Sequence, residues 1–188
     1  ETEKTIKPAY QIFHVNDDLS QLYFTIASSN LLYTKSTEDK PFMSRVKVTF
    51  MLFESYNSNQ VIDSASFVIS DENNDMKRKE IVGSIKVNAK YPNKYILKMS
   101  VLDMNKGLSE NQFVTVDKTS RMGRQNFELK NLENGHEVLN RKFGENIKLR
   151  ISYNDNMVKK IAVKYYNRYF PLTPPPFAVY SPKRFDFT

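Results

Sequence analysis

The sequence predicts an all-β protein built from antiparallel sandwiches. Short segments in which apolar and polar residues alternate recur at intervals of roughly 8–15 residues, as expected for half-buried strands. Clusters of Asn, Asp, Ser and Pro separate these segments, and such residues favour turns. No window carries the apolar stripe of a helix, and the best local candidate, residues 75–80, is too short and too polar. Strands without helices favour two sheets packed face to face.

Composition limits the class of protein. With 188 residues, of which 40% are hydrophobic and 13% aromatic, the chain can bury one large core or two small ones, which argues against disorder. The chain has no Cys, which excludes disulfides, thiolate metal sites and cysteine nucleophiles. Lys and Arg number 28 against 21 Asp and Glu, so the formal net charge is +7. No run approaches the roughly 18 consecutive apolar residues of a membrane helix.

A first sandwich domain is predicted over residues 7–117. In its strongest alternation, at residues 45–52, four apolar side chains alternate with Arg45, Lys47, Thr49 and Met51. Further rows lie at residues 22–26, 81–89, 95–101 and 113–116, with weaker alternation at 11–15, 31–35 and 61–69. Gly83 lies inside one apolar row, and this predicts either a β-bulge or a close approach to the backbone.

A second β domain is predicted over residues 126–188. Alternation stops at residues 118–125, which predicts a linker, and resumes at Phe127 before continuing through residues 147–153 and 161–165. Because this part of the chain is short, the domain is predicted to be small or incomplete. Its Pro-rich tail cannot donate ladder hydrogen bonds and is predicted to be extended, near polyproline II.

The sequence contains no motif that predicts an enzyme. His14 and His136 have no second His or acidic residue at ligand spacing, so both are interpreted as ordinary surface or half-buried residues. The acidic loop at residues 71–75 lacks the Gly and the distal Glu of an EF-hand, so it is interpreted as a solvated hairpin tip. Neither a nucleophile elbow nor a phosphate-cradling Gly-rich loop is present. No catalytic residue, cofactor or metal is therefore predicted.

A basic and aromatic stretch at residues 159–170 is the most suggestive chemical feature. On a strand, Lys160, Lys164, Tyr166 and Arg168 would share one face, which could stack bases and neutralise phosphates. The positive charge of the chain is spread along the sequence instead of being concentrated here. The stretch is therefore interpreted as a half-buried strand with a solubilised outer face, and no nucleic-acid partner is predicted.

Several strings resemble the GWxTD domain-containing proteins of Bacteroidetes. They keep their order over nearly the whole chain. The strings are residues 28–33, 61–64, 120–121, 124–127, 165–171 and 174–177. The chain has no Trp, so the motif that names the family is absent and the resemblance is to the N-terminal β-sandwich region.

The resemblance implies a location and a kind of partner. It implies an exported protein, in the periplasm or associated with the outer membrane, with a removed signal or lipid anchor upstream of Glu1 as the only membrane attachment. It also implies other cell-envelope proteins as partners, including an outer-membrane complex. It supplies no catalytic residues.

These observations lead to one main hypothesis and one alternative. The main hypothesis is a non-enzymatic structural or interaction module of the cell envelope, made of two consecutive immunoglobulin-like or macroglobulin-like sandwiches that dock partners through their edges. The predicted interface residues are Arg121 and Arg124 in the linker, and Tyr165, Tyr166, Arg168, Tyr169 and Phe170 in the aromatic run. The alternative is a carbohydrate-binding β-sandwich module, which the absence of Trp makes weaker.

Overall fold

A computed structural model of the chain confirms the all-β prediction. It describes residues 5–139, 147–154, 158, 160 and 161, and the backbone of residues 163–165 and 178–180. Two short 3₁₀ turns, Ser28–Asn30 and Arg124–Asn126, are the helical segments of this described part. No helix there is long and apolar enough to cross a membrane.

In the described residues, the strands form four antiparallel sheets. The strands are β1 Ala9–His14, β2 Leu19–Ala27, β3 Met43–Phe53, β4 Val61–Glu72, β5 Glu80–Asn88, β6 Lys94–Asp103, β7 Leu108–Asp117, β8 Phe127–Asn131, β9 Leu149–Tyr153, β10 Val163–Tyr165 and β11 Ala178–Tyr180. Sheet A has the order β1-β2-β5 and sheet B the order β4-β3-β6-β7, while β8-β9 form sheet C and β10-β11 form sheet D.

The core lies between sheets A and B. Alternate residues of β2 and β3 are buried, as the sequence periodicity predicts. Phe24 of sheet A and Phe50 and Leu97 of sheet B are among the fully buried side chains of one hydrophobic cluster. Each such side chain stabilises the fold by about 1.5–3 kcal/mol relative to exposure. Sheets A and B therefore form a β-sandwich.

Gly83 marks a close approach and not a bulge. The register between β2 and β5 is continuous and puts Gly83 opposite Phe24. A Cβ atom at Gly83 would overlap Cζ of the Phe24 ring. The ring therefore occupies the space that a side chain at position 83 would need.

The prediction of a strand at residues 31–35 is wrong. Only an isolated bridge between Thr34 and Met43 forms there. The Leu32 N–H donates to the buried Asp103 carboxylate at 2.8 Å, and the Asn105 amide donates to the Leu32 carbonyl at 3.0 Å. These side chains satisfy the backbone groups that a partner strand would otherwise bind, so local alternation does not lead to a strand.

The chain divides into two compact units, Glu1–Asn154 and Asp155–Thr188. Sheet C belongs to the first unit, and its β8 strand contacts sheet A through two side chains. The Tyr23 hydroxyl donates to Glu128 at 2.8 Å, and the Gln11 amide donates to the Phe127 carbonyl at 3.4 Å. In the second unit, the described structure is the pairing of β10 with β11. The domain boundaries predicted from the sequence remain a prediction.

Candidate functional site

The predicted interface residues fall in three places. Arg121 and Arg124 lie in the segment that follows β7, and Tyr165 is the last residue of β10, where only the backbone is described. The other members of the aromatic run, Tyr166, Arg168, Tyr169 and Phe170, lie outside the described residues. The described part of the site is therefore built around residues 118–125, which we call the clasp segment.

Lys118 fastens the clasp segment to the end of the sandwich. Its side chain is buried, and its ammonium donates to the carbonyl oxygens of Asn16 at 2.7 Å, Asp17 at 3.2 Å and Ala89 at 2.6 Å. Burial lowers the pKa of Lys118 to about 8. The ammonium thus ties the end of β7 to the β1–β2 turn and to the residue after β5.

Arg121 makes a second attachment at the same end. Its guanidinium lies 2.8 Å from an Asp17 carboxylate oxygen and 4.5 Å from the centroid of the Tyr91 ring. The hydrogen bond from Arg121 lowers the pKa of Asp17. The Tyr153 hydroxyl of β9 also donates to the Arg121 carbonyl at 2.7 Å. Both ionic side chains are about half exposed, so solvent screens the pair and leaves it weak.

His14 has a structural role under the clasp segment. Its Nε2 donates to the Asp117 carbonyl at 2.9 Å, so Nδ1 is free to accept from the Ser20 hydroxyl at 2.9 Å. Burial lowers the pKa of His14, which favours this neutral form. Because both ring nitrogens are occupied, His14 is not placed to act as a general base or a metal ligand.

A cavity of about 370 Å³ lies where β1 and β7 meet the clasp segment. Its lining residues are Tyr10, Gln11, Ile12, Val114, Asp117, Thr119, Ser120, Gly123, Arg124 and Gln125. The only carboxylate of this lining, Asp117, accepts from the hydroxyl of Thr119 at 2.6 Å and from its N–H at 3.0 Å. These bonds lower the pKa of Asp117, which makes it a weak base.

Gln125 occupies part of the free edge of sheet B. Its amide oxygen accepts from the Asp117 N–H at 2.8 Å, and its amide nitrogen donates to the Thr115 carbonyl at 2.6 Å. A neighbouring strand would make the same two bonds. Because backbone groups alternate in direction along a strand, those of Ser109, Asn111 and Phe113 also point away from β6. In the described part of the chain, no strand pairs with this edge.

An exposed aromatic pair lies beside that edge. The rings of Phe113 and Tyr56 are 5.8 Å apart, and the two residues are 52% and 69% exposed. The two residues were not among those predicted from the sequence to form an interface. The available signal was the phase of β7, since Val114 and Val116 face the core and Phe113 therefore faces outward.

The described residues contain no group of three or more His, Cys, Asp or Glu side chains arranged to hold a metal. No model of a known protein family matches the chain. No curated protein matches it either. The resemblance to GWxTD domain-containing proteins therefore remains a prediction, and the site has to be interpreted from its own geometry.

Proposed function

We propose that this chain is a non-enzymatic protein-interaction module that accepts an extended strand of its partner at the β7 edge. The observation that carries the proposal is the pair of hydrogen bonds in which the Gln125 side chain donates to the Thr115 carbonyl and accepts from the Asp117 N–H. It marks an edge whose outward backbone groups can bind strand-like partners, and the groups at Ser109, Asn111 and Phe113 are available to such a partner. Phe113 and Tyr56 add an apolar contact beside them.

We propose the bacterial cell envelope as the setting, with an exported chain and other envelope proteins as partners, among them an outer-membrane complex. The support is the ordered series of strings that resembles the GWxTD family. No catalytic residue is assigned. The proposed surface needs only main-chain hydrogen bonds and exposed aromatic side chains, which is how sheet edges recognise extended peptides.

The aromatic run is proposed as a second contact surface. Its supporting feature is the sequence itself, because Tyr and Arg are enriched at the energetic centres of interfaces. Alanine at both Tyr166 and Arg168 should reduce the recovery of envelope partners. Unchanged recovery would remove these residues from the proposal.

A proline at position 111 tests strand addition directly. The Asn111 N–H points away from β6, so proline removes no ladder hydrogen bond but blocks the edge for an incoming strand. We expect affinity purification of the full-length protein from its native membranes to recover a stable complex with the wild type and with Asn111→Ala. Asn111→Pro should lose it.

The thermal unfolding midpoint of both variants separates a blocked edge from a lost fold. If Asn111→Pro melts like Asn111→Ala and still recovers the same complex, strand addition at β7 is excluded.

A further inference from the structure

The outward face of sheet B carries three cationic residues between carboxylates that lie at its two ends. The outward positions of β3 include Arg45 and Lys47, and the outward positions of β6 include Lys98. Between the two ends of the face, the strand register puts Ser, Thr, Asn or apolar residues at the remaining outward positions. Glu72 stands at one end of this face, and Asp117 stands at the other end, where it lies 4.0 Å from the Lys94 ammonium. We call the surface between them the basic face.

The three cations of the basic face have no ionic partner in the described part of the chain. The ion pairs found there involve Lys77, Lys79, Lys94, Arg121 and Lys130. Lys98 on β6 is the register neighbour of Met51, which follows Arg45 on β3 by six residues, a length of about 20 Å. Unpaired positive charges along such a distance create a field that attracts an anionic partner.

A row of short polar side chains crosses the middle of the basic face. Ser66, Thr49, Ser100 and Asn111 are neighbours in the register of four adjacent strands. The Thr49 and Ser66 hydroxyls are 2.9 Å apart, and the Ser100 hydroxyl donates to the Asn111 side-chain oxygen at 2.5 Å. Hydroxyl and amide groups both donate and accept, so this row can bind ligand hydroxyl groups.

An aromatic surface completes one end of the basic face. Phe113 is the register neighbour of Lys98, and its ring contacts that of Tyr56. Exposed aromatic rings offer an apolar surface to the C–H faces of a ligand, and Tyr56 adds a hydroxyl group. Cation, hydroxyl row and aromatic pair therefore lie together on one side of a single sheet.

We propose that the basic face binds an acidic polysaccharide, with Arg45, Lys47 and Lys98 contacting its carboxylates and the polar row and Phe113 contacting its sugar rings. This inference gives a specific form to carbohydrate binding and does not depend on strand addition at the β7 edge. An acidic peptide could pair with the three cations, but it has no sugar hydroxyl groups or ring faces for the polar row and Phe113 to contact. Duplex nucleic acid carries one negative charge per about 1.7 Å. That charge density is far higher than the density of positive charge on the basic face, which has three cations over about 20 Å, so nucleic acid is a poorer match.

Polygalacturonate is a suitable probe, measured by calorimetry on the full chain with dextran as the neutral control. We expect polygalacturonate to bind, dextran not to bind, and the affinity to fall as salt rises. Lys47→Glu together with Lys98→Glu should weaken binding at least about tenfold, because both changes reverse a contacting charge. Lys86→Glu is the matched control, since Lys86 is an exposed strand residue on the outward face of sheet A, and it should leave affinity within about twofold.

Phe113→Ala separates sugar recognition from charge alone. It should weaken polygalacturonate and leave the binding of poly-glutamate unchanged, because only the sugar has ring faces to contact. The proposal is overturned if the double charge reversal behaves like Lys86→Glu, or if poly-glutamate or a single-stranded oligonucleotide binds more tightly than polygalacturonate. Absence of polygalacturonate binding would overturn it too, and would leave strand addition at the β7 edge unaffected.

Discussion

Sheets A and B differ in what their outward faces contact. The outward Tyr23 of sheet A donates to Glu128 of sheet C, and Glu128 lies 3.1 Å from the Lys130 ammonium. Burial, together with the Glu128 hydrogen bond, raises the pKa of Tyr23. The outward face of sheet B instead carries Arg45, Lys47 and Lys98 on β3 and β6, and these cations have no ionic partner in the described part of the chain. The outward face of sheet A is thus partly packed against sheet C, whereas outward Arg45 and Lys47 of sheet B are exposed.

The largest loss of stability should come from a substitution on the inward face of sheet A. Gly83→Ala places a methyl group where the Phe24 ring lies, and the ring can move only into a packed core. We expect a loss of about 3 kcal/mol in the free energy of unfolding, measured with urea.

A double-mutant cycle tests the cause of that loss. In a Phe24→Leu background the ring is gone, so the added methyl group should cost clearly less. An equal cost in both backgrounds would show that the Phe24 ring is not the obstacle.

The second-largest loss of stability is expected at Lys118, which joins the end of sheet B to the end of sheet A. Lys118→Met leaves three main-chain carbonyls without their donor and should cost about 1–3 kcal/mol. The pKa of Lys118 is about 8 in the folded protein, below the ordinary value of 10.5. Between pH 8 and 10.5, Lys118 is therefore still protonated in the unfolded chain but has lost its proton in the folded one. The stability of the wild type relative to Lys118→Met should therefore rise with pH from about 8 upward.

Urea unfolding of both proteins at pH 7, 8, 9 and 10 measures this difference. A difference that falls with pH would show that the three carbonyls hold the charged ammonium strongly enough to outweigh the cost of burying it.

The smallest expected loss of stability comes from substitutions on the two outward faces, which can be compared directly. Tyr23→Phe removes a hydrogen bond to a buried carboxylate and should cost about 1–2 kcal/mol. Lys47→Ala on the basic face of sheet B removes an exposed, unpaired side chain and should change stability by less than about 0.5 kcal/mol. Thermal unfolding of both variants provides the measurement. Equal costs would contradict the difference between the faces.

The sequence was informative where burial alternates and uninformative where side chains bind distant backbone. Strands β3 and β6 follow from their period of two. The segment at residues 31–35 alternates as well, yet Asp103 and Asn105 bind its backbone across about seventy positions. No local pattern carries that information.

The same limit applies to the candidate site. Arg121 was identified from its residue type and its place outside the alternating rows, whereas Lys118 and Gln125 looked like ordinary linker residues. Their importance comes from carbonyl and amide partners supplied by other elements, at Ala89 and Thr115 among others. The aromatic pair needed a β3–β4 turn folded against β7, which one strand's periodicity cannot reveal.

The side chain of Gln125 also limits the length of any strand added at β7. The groups at Thr115 and Asp117 are occupied, so the usable edge runs from Ser109 to Phe113, a length of about 14 Å. So short a ladder gives few hydrogen bonds, so association there would be reversible and its selectivity would rest on side chains. The short usable edge also disfavours the continuous addition of strands by which long unpaired edges lead to fibrils.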